Sequence, residues 1–169
     1  QKETSLPFDS LVLATGATPA VPGKLEGRDL KGVFTLTKIA DASAIMREIA
    51  GSAPKRAVVV GAGLIGIETA EALRERGLEV SLVEAFDHVL PALFDAEMAA
   101  HAEKELTAQG VDLRLAQKLL SLAGDADNHV RKALTEKGEI DADIVVLALG
   151  ARPNVRLAHD AGLAIGLTL

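Results

Sequence analysis

Three closely spaced glycines are the residues of this sequence best suited to chemistry. They form Gly61-x-Gly63-x-x-Gly66 in VVVGAGLIGIETAEAL, after an apolar run and at the start of a helix-like segment. In this pattern the first glycine allows a tight turn, the second lets a pyrophosphate approach the backbone, and the third lets the helix pack closely. Free N–H groups and the positive end of the helix dipole would face the phosphates. The motif predicts a dinucleotide site comprising Gly61, Ala62, Gly63, Leu64, Ile65 and Gly66.

A carboxylate follows the motif at the spacing that such a site requires. Glu84 comes 18 positions after Gly66, where the next strand-like run ends. It can accept hydrogen bonds from both ribose hydroxyls and would repel a 2′-phosphate. The next three residues, AFD, include no Lys or Arg, and His88 is the one nearby basic group. NAD(H) is therefore favoured over NADP(H), against the alternative of an ordinary acid at a strand end.

No set of acid and base residues accompanies this site. Glu68 lies in the first turn of the predicted helix, where complementing the helix dipole explains it from spacing alone. The sequence has no Tyr and no Cys, which excludes a Tyr-Lys pair, thiolate metal sites and cysteine nucleophiles. Its four His are scattered without ligand spacing. We predict no catalytic residue and no metal site, with the chemistry lying outside this domain.

A strand–helix–strand unit must position the glycine motif. The pattern predicts a buried strand at 57–60, a helix at 64–76 that Gly77 ends, and a strand at 78–83. Other segments follow as strands at 11–14, 33–36 and 111–115, helices at 38–50 and 95–109, and antiparallel strands near 117–122, 130–135 and 140–149. Uniformly apolar strands are typical of parallel sheets covered on both faces. The expected fold class is α/β, a Rossmann-like three-layer domain with a parallel sheet, helices on one face and an antiparallel β-meander on the other.

Composition narrows the function classes. The 169 residues carry a net charge of −6, which disfavours nucleic-acid binding. With no Trp, no Tyr and four Phe, base-stacking platforms are nearly excluded. No apolar run approaches the ~20 residues of a membrane span. The chain starts at Gln1 rather than Met, which favours a piece of a larger protein; we expect a cytoplasmic one.

Four motifs in order resemble one enzyme family. FDSLVLATGATP, VVVGAGLIGIETAEALRERGLEVSLVE, LPALFDAEMA and IVVLALGARPN are similar to segments of the FAD-dependent pyridine nucleotide-disulfide oxidoreductases, nearest the NADH oxidase and coenzyme A-disulfide reductase branch. The resemblance implies that residues 22–151 bind NAD(H), while 1–21 and 152–169 belong to an FAD domain that is otherwise missing. It implies hydride transfer from NADH to FAD in a homodimeric parent, and an inactive isolated chain.

The resemblance also assigns roles to individual residues. It implies that Glu68 lies near the nicotinamide and flavin, that Leu149-Gly150 lies against the nicotinamide, and that Thr15-Gly16 lies near FAD. Leu64 departs from the Tyr found in many members, which keeps the ferredoxin, rubredoxin or nitrite reductase flavoproteins as an alternative. A non-catalytic NAD-binding module is a second alternative, which the segments LVLATG and ALGARPN disfavour.

Overall fold

The computed structural model describes residues 4–166, and the chain divides into two compact units. One unit is residues 19–150, and the other comprises the residues before Pro19 and after Gly150. The elements in chain order are β1 Ala17–Pro19, β2 Val33–Thr35, α1 Ile39–Ser52, β3 Arg56–Val60, α2 Leu64–Glu75, β4 Glu79–Val83, α3 Ala96–Ala108, β5 Val111–Arg114, β6 Leu119–Gly124, β7 Val130–Thr135, β8 Gly138–Asp141, β9 Ile144–Leu147, β10 Ala151–Pro153 and α4 Arg156–Asp160.

Five parallel strands form the central sheet of the larger unit, in the order β2-β9-β3-β4-β5. The central strand β3 pairs through Val58 with Ser81 of β4 on one side and with Val145 of β9 on the other. All four residues of β9 and the last four of β3 are buried. This burial explains why both strands are continuously apolar, as sheets covered on both faces require.

Alternate residues of β3 face two different layers. Ala57 and Val59 belong to the core formed with the helices, which contribute residues such as Ile45, Leu73 and Leu106. Val58 and Val60 belong to a second core, whose members on the other layer include residues of the antiparallel sheet β6-β7-β8, namely Leu122, Val130 and Ala133. The predicted three-layer α/β arrangement, with helices on one face and a meander on the other, is confirmed.

The end of α2 follows the predicted glycine stop. Gly77 has a φ of +84° and donates its N–H to the Arg74 carbonyl at 2.8 Å, while the Leu78 N–H reaches the Leu73 carbonyl at 3.2 Å. This pair of bonds is the Schellman ending of a helix, which a left-handed residue makes possible. It turns the chain directly from α2 into β4.

The predicted strand at 11–14 is wrong. No strand is present there, and the Leu11 and Val12 side chains are 63% and 86% exposed. No strand in the described part of the chain pairs with this segment, so its backbone has no ladder to join.

The predicted antiparallel strand at 140–149 is two strands in different sheets. β8 ends at Asp141 in the meander, and β9 begins at Ile144 in the parallel sheet. The break falls where the Ala142 N–H bonds the Arg131 carbonyl at 2.9 Å and the Asp143 N–H bonds the Arg56 carbonyl at 2.9 Å. The chain changes partners between these two residues, which hydrophobicity alone does not reveal.

Candidate dinucleotide site

The glycine loop joins the end of β3 to the start of α2. Gly61 has a φ of +103°, and a Cβ there would overlap the Ala148 carbonyl oxygen beyond β9. A Cβ on Gly66 would overlap the Gly61 carbonyl oxygen. The first glycine is therefore required by both conformation and space, and the third by the close approach of helix to loop.

Gly63 is glycine for a different reason. Its φ of −78° is open to any residue, and a Cβ there would meet nothing within 4 Å. Neither conformation nor packing within the described residues therefore requires glycine here, and the space that a side chain would fill is open. This is the geometry predicted for the second glycine of the motif.

In the part of the chain that the structure describes, the first N–H groups of α2 have no hydrogen-bond acceptor. Gly63 is the N-cap and offers no side-chain oxygen, and within residues 4–166 no oxygen accepts from the N–H groups of residues 63–66. The start of α3 differs, because the Asp95 carboxylate accepts the Met98 N–H at 3.0 Å. Unpaired donors at the positive end of a helix dipole favour the binding of an anion.

Glu84 is buried at the end of β4 and is linked to the loop. One carboxylate oxygen accepts the Ala62 N–H at 2.7 Å, and the other accepts the Phe86 N–H at 3.0 Å. The side chain is placed beside the glycine loop as its spacing predicts, and each oxygen retains capacity for a further hydrogen bond. Its second task, holding the loop to β4, was not predicted, because no local pattern connects two residues 22 positions apart.

The loop after Glu84 folds back on itself. The Leu90 N–H bonds the Ala62 carbonyl at 2.8 Å, which ties this loop to the glycine loop. His88 places Nδ1 at 2.7 Å from Asp87 and Nε2 at 3.2 Å from the Phe94 carbonyl. The hydrogen bond with Asp87 raises the pKa of the His88 imidazole.

The structure brings Leu149 and Gly150 close to the glycine loop. The Leu149 nitrogen lies 3.5 Å from the position a Gly61 Cβ would occupy, and Gly150 has a φ of +86°. Glu68 is exposed one turn into α2, where it lines an apolar groove of about 390 Å³ between α1 and α2. The predicted site residues of this unit thus lie around one end of the parallel sheet.

Thr15 and Gly16 lie in the smaller unit and meet Asn154. The Thr15 hydroxyl donates to the Asn154 carbonyl at 2.6 Å, the Asn154 amide donates back to the Thr15 carbonyl at 2.9 Å, and the Asn154 N–H bonds the Gly16 carbonyl at 2.9 Å. Asn154 was not predicted as a site residue, and its pairing over 139 positions has no local signal. These bonds join the two segments that resemble parts of an FAD domain.

The described residues contain neither a membrane-spanning helix nor a cluster of metal-binding side chains. Across residues 4–166 no helix is long and apolar enough to cross a membrane. Within the same range no group of three or more metal-binding side chains comes together.

Comparison with known sequences identifies the family. Residues 1–167 match the family described as pyridine nucleotide-disulphide oxidoreductase. The chain belongs to this family. Among curated oxidoreductases of the family, an NADH oxidase of Methanocaldococcus jannaschii is 41% identical over 164 residues, which is 97% of this chain and 36% of that protein. A rubredoxin-NAD(+) reductase of Pseudomonas putida is 36% identical over 159 residues, or 94% of this chain and 40% of that protein.

Solved structures of oxidoreductases share the fold. A NAD-dependent persulfide reductase from A. fulgidus matches with a TM-score of 0.89 and 41% identity, over 96% of this chain and 30% of that one. A water-forming NADH oxidase from Lactobacillus brevis bound to NADH matches with a TM-score of 0.83 and 33% identity, over 93% and 34% of the two chains. The chain thus spans about a third of the length of these relatives.

An engineered variant of the Lactobacillus brevis enzyme is an NADPH oxidase bound to NADPH, with a TM-score of 0.83 and 31% identity over 94% of this chain and 34% of that one. The variant carries five substitutions, the first of which replaces a glycine by alanine. Counted from that glycine, aspartate is replaced by alanine at +18, alanine by arginine at +19, methionine by serine at +20 and proline by arginine at +25. Counted from Gly66 in this chain, the same spacing falls on Glu84, Ala85, Phe86 and Pro91.

Proposed function

We propose that residues 22–151 bind NADH and present its nicotinamide to FAD held by the rest of a pyridine nucleotide-disulphide oxidoreductase. The observation that carries the proposal is the set of N–H groups of residues 63–66, which have no acceptor among the described residues, in a loop that the Glu84 carboxylate holds through the Ala62 N–H. The two phosphates of a dinucleotide would supply negatively charged oxygen acceptors for these N–H donors. An adenosine ribose supplies hydroxyls for the carboxylate.

The residues of this chain contribute binding and orientation. When both cofactors are bound, the nicotinamide supplies a hydride and the flavin accepts it. Residues 61–66 hold the pyrophosphate, and Leu149-Gly150 orient the nicotinamide from the end of β9. Glu68, exposed one turn into α2, is assigned to the nicotinamide end of the site because the family resemblance implies that role. No residue of this chain is assigned a proton transfer.

The proposed coenzyme is NADH rather than NADPH. A 2′-phosphate at Glu84 would place two negative charges in contact, and Ala85 and Phe86 offer no positive charge in return. The spacing match supports this, because the NADPH-binding variant of the Lactobacillus brevis enzyme has lost an acid and gained an arginine at the corresponding positions.

The smaller unit is proposed to be part of the FAD-binding domain, with Thr15 and Gly16 near that cofactor. Gly16 has a φ of +68° and open space where a Cβ would be, and Asn154 fixes its carbonyl. Several apolar side chains of this unit are exposed, including Leu6, Phe8 and Val12. An FAD domain would bury them, and without it we expect the chain to lack turnover and bind FAD weakly.

The whole protein is proposed to be an NADH oxidase or a coenzyme A-disulfide or persulfide reductase, because relatives with such functions are about 41% identical. A rubredoxin reductase is the second candidate, which the 36% identity to the Pseudomonas putida protein favours. The redox residues of the missing part would distinguish them. The match of residues 1–167 to the family argues against a non-catalytic NAD-binding module.

Calorimetric binding of NADH and NADPH to the 169-residue chain tests the proposal. We expect NADH to bind at least about tenfold more tightly, since a like-charge contact costs more than about 1.4 kcal/mol. Glu84→Ala should weaken NADH binding and narrow the ratio of the two dissociation constants. The ratio is the readout because loosening the loop from Ala62 affects both coenzymes alike.

A matched control and a reversal make the test specific. Glu79→Ala changes the same residue type at the other end of β4 and should leave both constants unchanged. Combining Glu84→Ala with Ala85→Arg, Phe86→Ser and Pro91→Arg should reverse the preference. Binding of neither coenzyme by the unmodified chain, or an unchanged ratio in Glu84→Ala, would contradict the proposal.

A further inference from the structure

We propose that the Phe86 ring is the surface on which the adenine of the dinucleotide stacks. The inference rests on the proposed function and adds a specificity-determining residue to it. Composition alone argues against a base-stacking platform, since the chain has four Phe and no Trp or Tyr. The fold nevertheless leaves one of those four rings exposed beside the ribose acid.

The backbone of Phe86 is held on both sides. Its N–H donates to the Glu84 carboxylate at 3.0 Å, and its carbonyl accepts the Ala116 N–H at 2.7 Å. The ring is therefore carried on a fixed point, two residues beyond the carboxylate that would bind the adenosine ribose. A rigid support lowers the entropy that a stacking side chain loses on binding.

The ring itself belongs to neither hydrophobic core of the described residues. Phe86 is 62% exposed and contributes to neither hydrophobic core among residues 4–166, whereas Phe34 packs against the helix-side core. A large aromatic side chain left in water at a proposed site has a face free for a ligand. Every base has a π-face of complementary shape and polarity, and stacking on a side chain is a common way to hold one.

Geometry selects the adenine rather than the nicotinamide. The base is attached to the same ribose whose hydroxyls meet Glu84, so it lies next to that carboxylate, while the nicotinamide lies across the pyrophosphate towards Leu149. The spacing match agrees, because in the Lactobacillus brevis enzyme the residue at the Phe86 position is among those replaced in the NADPH-binding variant. The extra phosphate of NADPH is on the adenosine half of the molecule.

Phe86→Trp in the 169-residue chain provides a direct reporter. The sequence has no Trp or Tyr, so the new indole would be its only strong fluorophore. We expect ADP-ribose to quench its emission and nicotinamide mononucleotide to leave it unchanged. Glu79→Trp, at an exposed position on the opposite end of β4 from Glu84, is the control that ADP-ribose should not quench.

Affinity separates stacking from simple coverage by an apolar residue. Phe86→Ala should weaken ADP-ribose binding by about 5- to 150-fold, the range for loss of one base–aromatic stack. Phe86→Leu should recover only part of this, because it restores apolar area without a π-face. The melting temperature of both variants should match the unmodified chain, since the ring is exposed.

The possible failures are distinguishable. If the unmodified chain does not bind ADP-ribose in calorimetry, the proposed function fails and this inference falls with it. If it binds, but Phe86→Ala binds equally well or the Phe86→Trp emission does not respond, only the stacking proposal is overturned.

Discussion

The two ends of the parallel sheet differ in whether their polar groups have hydrogen-bond partners. At the amino-terminal end, the Asp143 carboxylate accepts the backbone N–H groups of Lys55 and Arg56 at 3.0 Å each and the Arg56 guanidinium at 3.2 Å. Arg56 also donates to Asp141 at 2.8 Å. At the carboxyl-terminal end, the N–H groups of residues 63–66 have no acceptor anywhere in residues 4–166.

This difference separates a structural use of polar groups from a functional one. Burial acts to raise the pKa of Asp143, but the Arg56 side chain and the Lys55 and Arg56 N–H groups outweigh it and the pKa is lowered. A carboxylate so satisfied stabilises the fold and has little left to offer a ligand. The open end retains unpaired donors, so it can gain free energy when a ligand arrives.

The largest expected effect is on NADH binding at the carboxyl-terminal end of the sheet, where the N–H groups of residues 63–66 lie. Gly63→Val should weaken NADH binding by at least about 100-fold, because its side chain would fill the empty space where the pyrophosphate approaches. The melting temperature should change little, since φ is −78° and no atom lies within 4 Å of the new Cβ. A 100-fold loss corresponds to about 2.7 kcal/mol of binding free energy.

Gly66→Ala is the matched control for Gly63→Val. Its methyl group would overlap the Gly61 carbonyl oxygen, so we expect a destabilisation of about 1–3 kcal/mol as well as weaker binding. Thermal unfolding and calorimetry on both variants check the contrast. NADH affinity in Gly63→Val equal to that of the unmodified chain would remove the phosphate-binding role of the loop.

The next effect is on stability at the amino-terminal end of the sheet, where both carboxylate oxygens of Asp143 accept hydrogen bonds. Asp143→Asn should cost about 1–3 kcal/mol of unfolding free energy, because an amide cannot accept all the donors that the carboxylate accepts. NADH affinity should be unchanged, since the two ends lie across the length of the strands. Asp141→Asn, at a side chain that is 57% exposed, should cost less than about 1 kcal/mol and is the control.

Acid should reveal the same contribution. Because the folded pKa of Asp143 lies below the unfolded value, its stabilisation is fully present above about pH 4 and is lost as the pH falls through the folded pKa. Urea unfolding between pH 7 and pH 3 should therefore show the cost of Asp143→Asn shrinking at the acidic limit. A cost that is constant down to pH 3 would contradict the assignment.

The smallest expected effect is on stability at the start of α3, which has a side-chain cap where α2 has none. Asp95 caps α3, so Asp95→Ala should lower the unfolding free energy by about 1 kcal/mol, which is a melting shift of about 2–4 °C for a chain of this size. Asp95→Asn keeps an acceptor for the Met98 N–H and should recover most of the loss. An equal loss in both variants would locate the effect in charge rather than capping.

Local patterns predicted the region around the glycine motif well. The unit β3-α2-β4 and the Gly77 stop follow from apolar spacing and turn residues a few positions apart, and the structure agrees with both. The distinct roles of Gly61 and Gly66 were predictable because the motif specifies where loop and helix meet.

Pairing over long distances could not be predicted. The strand expected at 11–14 needs a partner strand that no local pattern supplies, and the segment 140–149 changes sheet through bonds to Arg131 and Arg56. The bond between Glu84 and the Ala62 N–H depends on how β4 is placed beside β3. Such contacts are decided by the register of the sheet rather than by neighbouring residues.

The strand order has a consequence for folding during synthesis. Within this sheet the edge strand β2 pairs with β9, and β9 is made after three helices, three further sheet strands and the whole meander. Until residues 144–147 emerge from the ribosome, β2 and one edge of β3 expose unpaired backbone. Contacts of such high sequence separation slow folding, and open edges invite pairing with other chains. The sheet is therefore completed late, when β9, its last strand to be made, inserts between β2 and β3.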